Sequence, residues 1–260
     1  MARKYVRIGS LQNIHLFDDG DFDGGVETDD CIKAHQAPVA VEDVLRLDDV
    51  GTLVGNVSGP GVSTDNAIAR WNGVSGLEIQ NSLITISDAG QLALLTTARV
   101  YRHIRVAAPS WSPGAAGPTA NIVGIFPTLA FDAASDDEVL YSLIIPYRMA
   151  AGSEIAIHVD WCYTGGADAG TVCWGVEYKN ITSGEALVGG TTTTTKVSAG
   201  GHTSGQLVRT VFDTGITGAV AHDVLGVRLY RDVSADTMAA DAELVQVHFE
   251  FLMDKLGEAS

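Results

Sequence analysis

The residues best suited to chemistry lie near the start of the chain, in DGDFDGGVETDD, Asp19 to Asp30. Asp19, Asp21 and Asp23 alternate, Gly24 follows, and Asp30 comes six residues after that glycine. Ca²⁺ takes about six to eight oxygen ligands, and an EF-hand loop spaces its carboxylates in this way around a sharp turn. Gly25 would add a carbonyl. The motif closes on a bidentate Glu where this chain has the shorter Asp30, and it needs a helix on each side. Upstream, VRIGSLQNIHLF contains Gly9 and Ser10 and has no 3.6-residue period. Downstream, CIKAHQAPVAVEDVLRL is broken by Pro38. Two readings therefore compete: a structural Ca²⁺ site without its usual scaffold, and a solvated acidic loop.

Other chemistry is sparse. Three cysteines, Cys31, Cys162 and Cys173, are too few for a disulfide scaffold. Cys162 and Cys173 would approach one another if their strands paired as a hairpin, and in a reducing compartment they would remain thiols. The seven histidines form no HExxH or HxH pattern, and Cys31 with His35 lacks the second pair that a zinc site needs. No nucleophile elbow, phosphate-binding loop or dinucleotide fingerprint occurs. The acids of DAASDDE, Asp132 to Glu138, fall in a turn, where exposed carboxylates are expected. The sequence thus offers no catalytic set, and the expectation is a protein that is not an enzyme. Trp111, in the loop SWSPGAAGP, and Tyr230, at an outward strand position, are the candidates for stacking on a sugar ring.

The bulk composition narrows the classes of partner. The 260 residues carry a formal charge of −16, which repels nucleic-acid phosphate and anionic membrane surfaces alike. No apolar run reaches membrane-spanning length. MARKYVRIGS is basic but is not followed by an apolar signal core, so the expectation is a chain made and used without secretion. The 29 glycines and low charge content suit short strands joined by turns.

Three regions differ in character. Residues 1–50 hold 11 Asp or Glu against 5 Lys or Arg, with scattered apolar residues. They read either as an arm that orders on a partner, through Ile14, Leu16, Phe17, Val44, Leu45 and Leu47, or as a disordered tail. Residues 51–100 alternate short apolar pieces, AIARW, LEIQNS and ITI, with turn pairs such as Asn72-Gly73 and Ala89-Gly90. These strands are too short and polar to close a core in one chain, and several copies wrapped together could.

Residues 101–260 contain strand patterns at Tyr101–Ala107, Ile122–Phe131, Glu138–Tyr147, Glu154–Tyr163, Thr171–Ile181, Thr192–Val197, Leu207–Phe212, Val224–Arg231 and Ala242–Leu252, with no amphipathic helix. That predicts an all-β antiparallel sandwich of jelly-roll type. In IAIHVDWCYTGGADAGTVCWGVEYK, a turn over Gly165–Gly170 would pair Trp161 with Trp174, Val159 with Val176 and Ile157 with Tyr178 on an apolar face. The other face would pair Cys162 with Cys173 and His158 with Glu177. A closing hairpin would turn Leu225, Val227, Leu229, Val245, Val247, Phe249 and Phe251 inward, with His248 and Glu250 outward.

One stretch resembles a known family. Gly59-Pro60, Ser63-Thr64-Asp65-Asn66-Ala67-Ile68-Ala69-Arg70-Trp71 and Ile79-Gln80-Asn81-Ser82 are similar to a module carried by tailed-phage fibre and virion proteins. GTVCWGVEYKNITSGEA and LGVRLYRDVSAD resemble the end domain of fibre-like proteins of short-tailed phages. The resemblance implies a homotrimer in the virion, assembled in the bacterial cytoplasm. Residues 1–50 would anchor to the major capsid protein or another virion protein. Residues 51–100 would form an intertwined β shaft, trimerising through Ile68, Trp71, Ile79, Ile84 and Ile86. Residues 101–260 would form a knob in reach of host-surface glycans. A short arm, a short shaft and one compact knob match a head fibre or capsid decoration protein; the alternative is a receptor-binding tail fibre that determines adsorption.

Overall fold

The computed structural model describes residues 59–165, 170–198 and 200–256, together with the backbone of two short strands near the start. Those two, β1 (Val6–Ser10) and β2 (Asn13–Leu16), pair antiparallel. Residues 1–59 cluster with 72–78 as one unit, and the remaining residues form a second.

The second unit begins with a three-stranded antiparallel meander of β3 (Ala67–Trp71), β4 (Ile79–Ile86) and β5 (Leu92–Leu94). Its short, polar strands follow the alternation of apolar pieces and turns in the sequence. LEIQNS and ITI, which read as separate pieces, run together in β4.

The rest is a two-sheet antiparallel β-sandwich. Its strands are β6 (Val100–Ala107), β7 (Ser112–Pro113), β8 (Thr119–Val123), β9 (Phe126–Phe131), β10 (Glu138–Ile144), β11 (Ile155–Tyr163), β12 (Cys173–Ile181), β13 (Thr192–Val197), β14 (Val208–Val211), β15 (Val224–Arg231) and β16 (Ala242–Met253). The first sheet runs β13-β12-β15-β10-β7, and the second runs β14-β11-β16-β9-β8. In the second sheet β6 and β9 share one edge of the long strand β16, β6 against residues 246–253 and β9 against residues 242–244.

This topology corrects the expected hairpins. β11 pairs with β14 and β16, whereas β12 pairs with β13 and β15, so β11 and β12 lie in opposite sheets. β15 and β16 are likewise split between the sheets. Trp161 and Trp174 do meet, but across the core, with ring centroids 6.3 Å apart. Alternation fixes which face of a strand is apolar and leaves open whether its partner lies beside it or opposite it. Ile157, Val159 and Trp161 face Val176, Tyr178 and Trp174 across the sandwich, and all six are buried. Phe131 packs edge-on against Trp174 at 5.0 Å. The Trp161 indole N–H donates to the Thr210 hydroxyl at 2.9 Å, which keeps a buried donor satisfied.

A second correction concerns β16. The register steps from Asp160↔Gln246 to Trp161↔Leu244, so Val245 is the extra residue of a β-bulge. The bulge reverses the alternation. Val247, Phe249 and Phe251 point inward as expected, but beyond the bulge it is Leu244 and Ala242 that are fully buried, while Val245 is half-buried.

The inward row of β15 ends on a charge. Arg231 follows Leu225, Val227 and Leu229 into the interior and is wholly buried. Its Nε and Nη2 donate to the two carboxylate oxygens of Asp236, at 2.6 and 3.2 Å. Nη1 donates to the carbonyls of Phe131 and Ala240, both at 3.0 Å, and Nη2 also donates to that of Met238 at 2.9 Å. Every guanidinium N–H is therefore used. Removing either partner leaves a buried charge unpaired, at a cost of about 3–5 kcal/mol. We expect Arg231→Met and Asp236→Ala each to lower the melting temperature by roughly 10 °C, whereas Arg228→Met, at a half-exposed pair, shifts it by about 2 °C or less. Differential scanning calorimetry of the three variants checks this ordering.

Candidate functional site

The motif residues that carry the family resemblance build the meander. The Ala67 N–H donates to the Thr64 carbonyl at 3.2 Å, closing a turn in which Asn66 has φ 61°, a left-handed conformation that Asn tolerates. The Asn66 carbonyl in turn accepts from the Ile86 N–H at 2.9 Å. Asn81 Nδ2 donates to the Val62 carbonyl at 3.1 Å and lies 3.3 Å from the Thr64 hydroxyl, tying GPGVST to β4. The Ser82 hydroxyl donates to the Ile84 carbonyl at 3.0 Å and accepts from the Ile84 N–H at 3.2 Å. That bridge sits where the β3–β4 register slips, between Ala67↔Thr85 and Ala69↔Asn81. The polar residues of the motif thus shape an irregular hairpin.

The apolar residues of the meander are left largely uncovered. Ile68 is 38% exposed, Trp71 53% and Ile86 42%, and Leu83, not singled out from sequence, is 44% exposed. Trp71 stands opposite Ile79, which is half-buried. Ile84 differs from the rest. It pairs with Leu94, and both pack against the sandwich core, so Ile84 is engaged within its own chain. Large exposed apolar areas mark interaction surfaces in soluble proteins.

A second surface is polar. On the outer face of the second sheet, register places Arg105 of β6, His248 of β16, His158 of β11 and Val211 of β14 in one row across four strands. The row beside it holds Gln246, Asp160 and Arg209, and on the other side Glu250 stands opposite His103. Asp160 is fully buried and receives Arg209 Nε and Nη2 at 2.7 and 3.0 Å, with Gln246 Nε2 at 2.9 Å. His248 Nε2 lies 3.0 Å from the same carboxylate without hydrogen-bond geometry. His103 Nε2 is 3.1 Å from Glu250. The His158 and His248 rings stack at 6.4 Å. Sequence alternation put His248 on this face, but the row it forms with His158 needs the β11–β16 pairing, which the expected hairpin hid.

Burial pulls the His248 pKa below its usual value; the Asp160 charge opposes this, and Arg209, Arg105 and His103 add to it. Burial also lowers His158, with Glu250 and Asp160 opposing and Arg209 and His103 assisting. Burial alone would raise Asp160, yet hydrogen bonds from Arg209 and Gln246 outweigh it and hold the carboxyl low.

The stacking candidates fare differently. Trp111, expected in an exposed loop, is 5% exposed and packs against Tyr141 and Phe249, with centroids 5.4 and 6.4 Å away. It is a core wedge between the sheets, so it offers no open ring face. Tyr230 does lie on the outer face of the first sheet. Its ring covers Gly175, where any Cβ would come within 2.1 Å of Cζ, and the Arg228 guanidinium sits 4.8 Å from the ring centroid. Arg228 bridges Glu138 and Glu177. In the turn before β10, Asp137 accepts from the Asp132 N–H at 2.8 Å and Asp136 from the Val233 N–H at 2.9 Å, so these acids brace loops.

Cys162 and Cys173 are both free and buried on strands of opposite sheets. Their neighbours Trp161 and Trp174 point inward, which turns the two thiols away from one another. Burial, then the nearby Glu243, pushes the Cys162 thiol up to about 11, and burial with Asp232 and Asp236 raises Cys173. Neither is activated as a nucleophile.

Ile14 and Leu16 fall in β2. Phe17, Val44, Leu45 and Leu47 lie outside the described residues, as do Asp19, Asp21, Asp23 and Asp30. Among the described residues no group of three or more His, Cys, Asp or Glu is placed to hold a metal ion.

No family model and no curated protein matches the chain. Among solved structures it is similar to the CBM36-1 domain of a multidomain xylanase from the hindgut metagenome of Trinervitermes trinervoides, with 19% identity and a TM-score of 0.35 over 61% of this chain and 99% of that one. A carbohydrate-binding module CBM36 in complex with calcium and xylotriose aligns at 23% identity and TM-score 0.34, over 56% and 98% of the two chains. An exo-beta-1,3-galactanase from Phanerochaete chrysosporium, solved with galactose, aligns at 10% identity and TM-score 0.34, over 66% of this chain and 34% of that one. Likeness at this level transfers neither a ligand nor an activity.

The histidine row gives a signed pH dependence. A histidine whose folded pKa is depressed takes its proton first in the unfolded chain, so stability is complete above the unfolded value, about 6.5, and is lost as pH falls below it. Asp160, also depressed, loses its contribution in a separate window, below about pH 4. Urea midpoints measured from pH 7.5 to 5 should fall with acidification, and His158→Gln with His248→Gln should flatten that slope.

Proposed function

We propose that this chain is a non-enzymatic structural protein of a tailed-phage virion: a homotrimeric fibre carried on the head, with the β-sandwich as its projecting knob. The observation that carries this reading is the meander of β3, β4 and β5. Its sequence resembles the fibre module, and it leaves Ile68, Trp71, Leu83 and Ile86 uncovered. Three such sheets wrapped about an axis would bury those residues against one another. At about 25 cal/mol per Å² of apolar surface, that supplies a core that one copy lacks.

Residues 1–50 act as the anchor in this reading. Their excess of acid suits a basic groove on the major capsid protein or another virion protein. The knob reaches outward, where contact with host-surface glycans aids attachment.

Multi-angle light scattering at micromolar concentration tests the assembly. The expected mass is three times the 27.3 kDa of the chain. Trp71→Ser with Ile86→Asp should release folded monomers that keep the β-rich circular dichroism spectrum. A monomeric wild-type chain would sink the proposal.

The Asp19–Asp30 stretch is read here as the solvated acidic part of the anchor. Calorimetric titration of CaCl₂ into the chelator-treated full chain should give no saturable heat. A heat that Asp21→Ala abolishes would make it a structural calcium site instead.

A further inference from the structure

A cleft of about 460 Å³ opens between the end of β12, the start of β13 and the loop that joins them, within the size range of small-molecule sites, roughly 300–1,000 Å³. Its lining is built from groups that both give and take hydrogen bonds. Lys179 reaches under the loop and donates to the carbonyls of Ala186 and Val188, at 2.6 and 3.2 Å. An ammonium has three N–H groups, so a third remains for the cleft. Glu185 accepts from the Thr182 N–H at 2.9 Å through Oε2, which leaves Oε1 as an acceptor. Asn180 donates through Nδ2 to the Thr217 carbonyl at 2.9 Å, which fixes the amide, and its Oδ1 is buried without a donor among the described residues. Thr192, at the start of β13, completes the wall.

The loop is held by the Lys179 ammonium and by the contact between Glu185 and the Thr182 N–H. Gly184, Gly189 and Gly190 have φ of 97°, 73° and 68°, a backbone that other residues resist. The ammonium is fixed by carbonyls and not by a carboxylate, so the polar groups are set before a ligand arrives.

We propose that this cleft binds a short neutral saccharide. The formal charges of Lys179 and Glu185 cancel across it. An anionic ligand would meet the carboxylate and a cationic one the ammonium, whereas a sugar hydroxyl donates and accepts at once and suits both. The proposal rests on the fibre reading, in which the knob touches host-surface glycans, and it names the place of contact.

Saturation-transfer difference NMR on the full chain tests it, with maltotriose, cellotriose and β-1,4-galactotriose as probes and a galacturonic acid trimer as the charged control. At least one neutral trisaccharide should bind at about millimolar Kd, tighter than the acid. Lys179→Met should remove the transfer. Thr192→Val, which leaves the loop's own hydrogen bonds in place, should weaken binding about three- to ten-fold, the usual worth of one hydrogen bond. Arg105→Gln, on the other sheet, should change nothing. No transfer from any neutral probe, or transfer untouched by both cleft variants, overturns the proposal. Light scattering on the same samples separates the two ideas: a trimer that binds no sugar sinks the cleft alone, and a sugar-binding monomer sinks the fibre.

Discussion

The guanidinium of Arg231 lies where a β-sandwich ordinarily has only hydrocarbon. Burying it is tolerable because each of its donors meets an oxygen, and those oxygens come from three places: the end of β9 in the opposite sheet, Asp236, and the backbone on the approach to β16. A buried charge left short of partners is far costlier than a misplaced leucine. Residues 232–241 are therefore held to a path that brings Asp236, Met238 and Ala240 back over the arginine. That path carries the chain from the first sheet into the second and sets where β16 begins. Much else follows from β16. It lies against β11, β6 and β9, and its outward residues place His248 between Arg105 and His158.

How much of this can be read from sequence depends on how local the cause is. Thr192–Val197 and Val224–Arg231 run to the residue where their patterns predict, because alternation and the flanking Gly, Asp and Ser are local. The partner of each strand is not local. Trp161 and Trp174 satisfy the same alternation as hairpin neighbours or as opposed walls of the core, and only the packing of two sheets decides. Val245 carries no mark of its bulge. Trp111 sits among Ser, Pro and Gly like a loop residue, yet its ring packs between Tyr141 of one sheet and Phe249 of the other, which only the stacking of the two sheets brings about. Tyr230 was readable as outward, but the bare Cα of Gly175 beneath it matters only once β12 and β15 are neighbours.

The candidate surfaces divide in the same way. The strands of the meander were legible from the alternation of AIARW and ITI with turn pairs; the turn at Asn66 and the bridge at Ser82 are local, whereas the tie from Asn81 to Val62 spans 19 residues and needs the hairpin to form first. The cleft beside Lys179 was not legible, since it gathers β12, β13, a glycine-rich loop and Thr217. In the account offered here the work of the chain is split by chemistry. Exposed hydrocarbon on the meander suits permanent association with identical copies, the acid-rich start suits a basic partner, and the knob presents hydrogen-bonding walls to a hydrated surface.

We propose that the protein is part of a virion and sits on its head. Cryo-electron microscopy of whole phage particles produced by cells that express the chain, labelled with an antibody to residues 101–260, would show this directly. The account predicts label spread over the capsid surface, at sites compatible with threefold fibres. Label confined to the tail would contradict the head placement and make the knob an adsorption device, and particles without label would contradict the virion assignment itself.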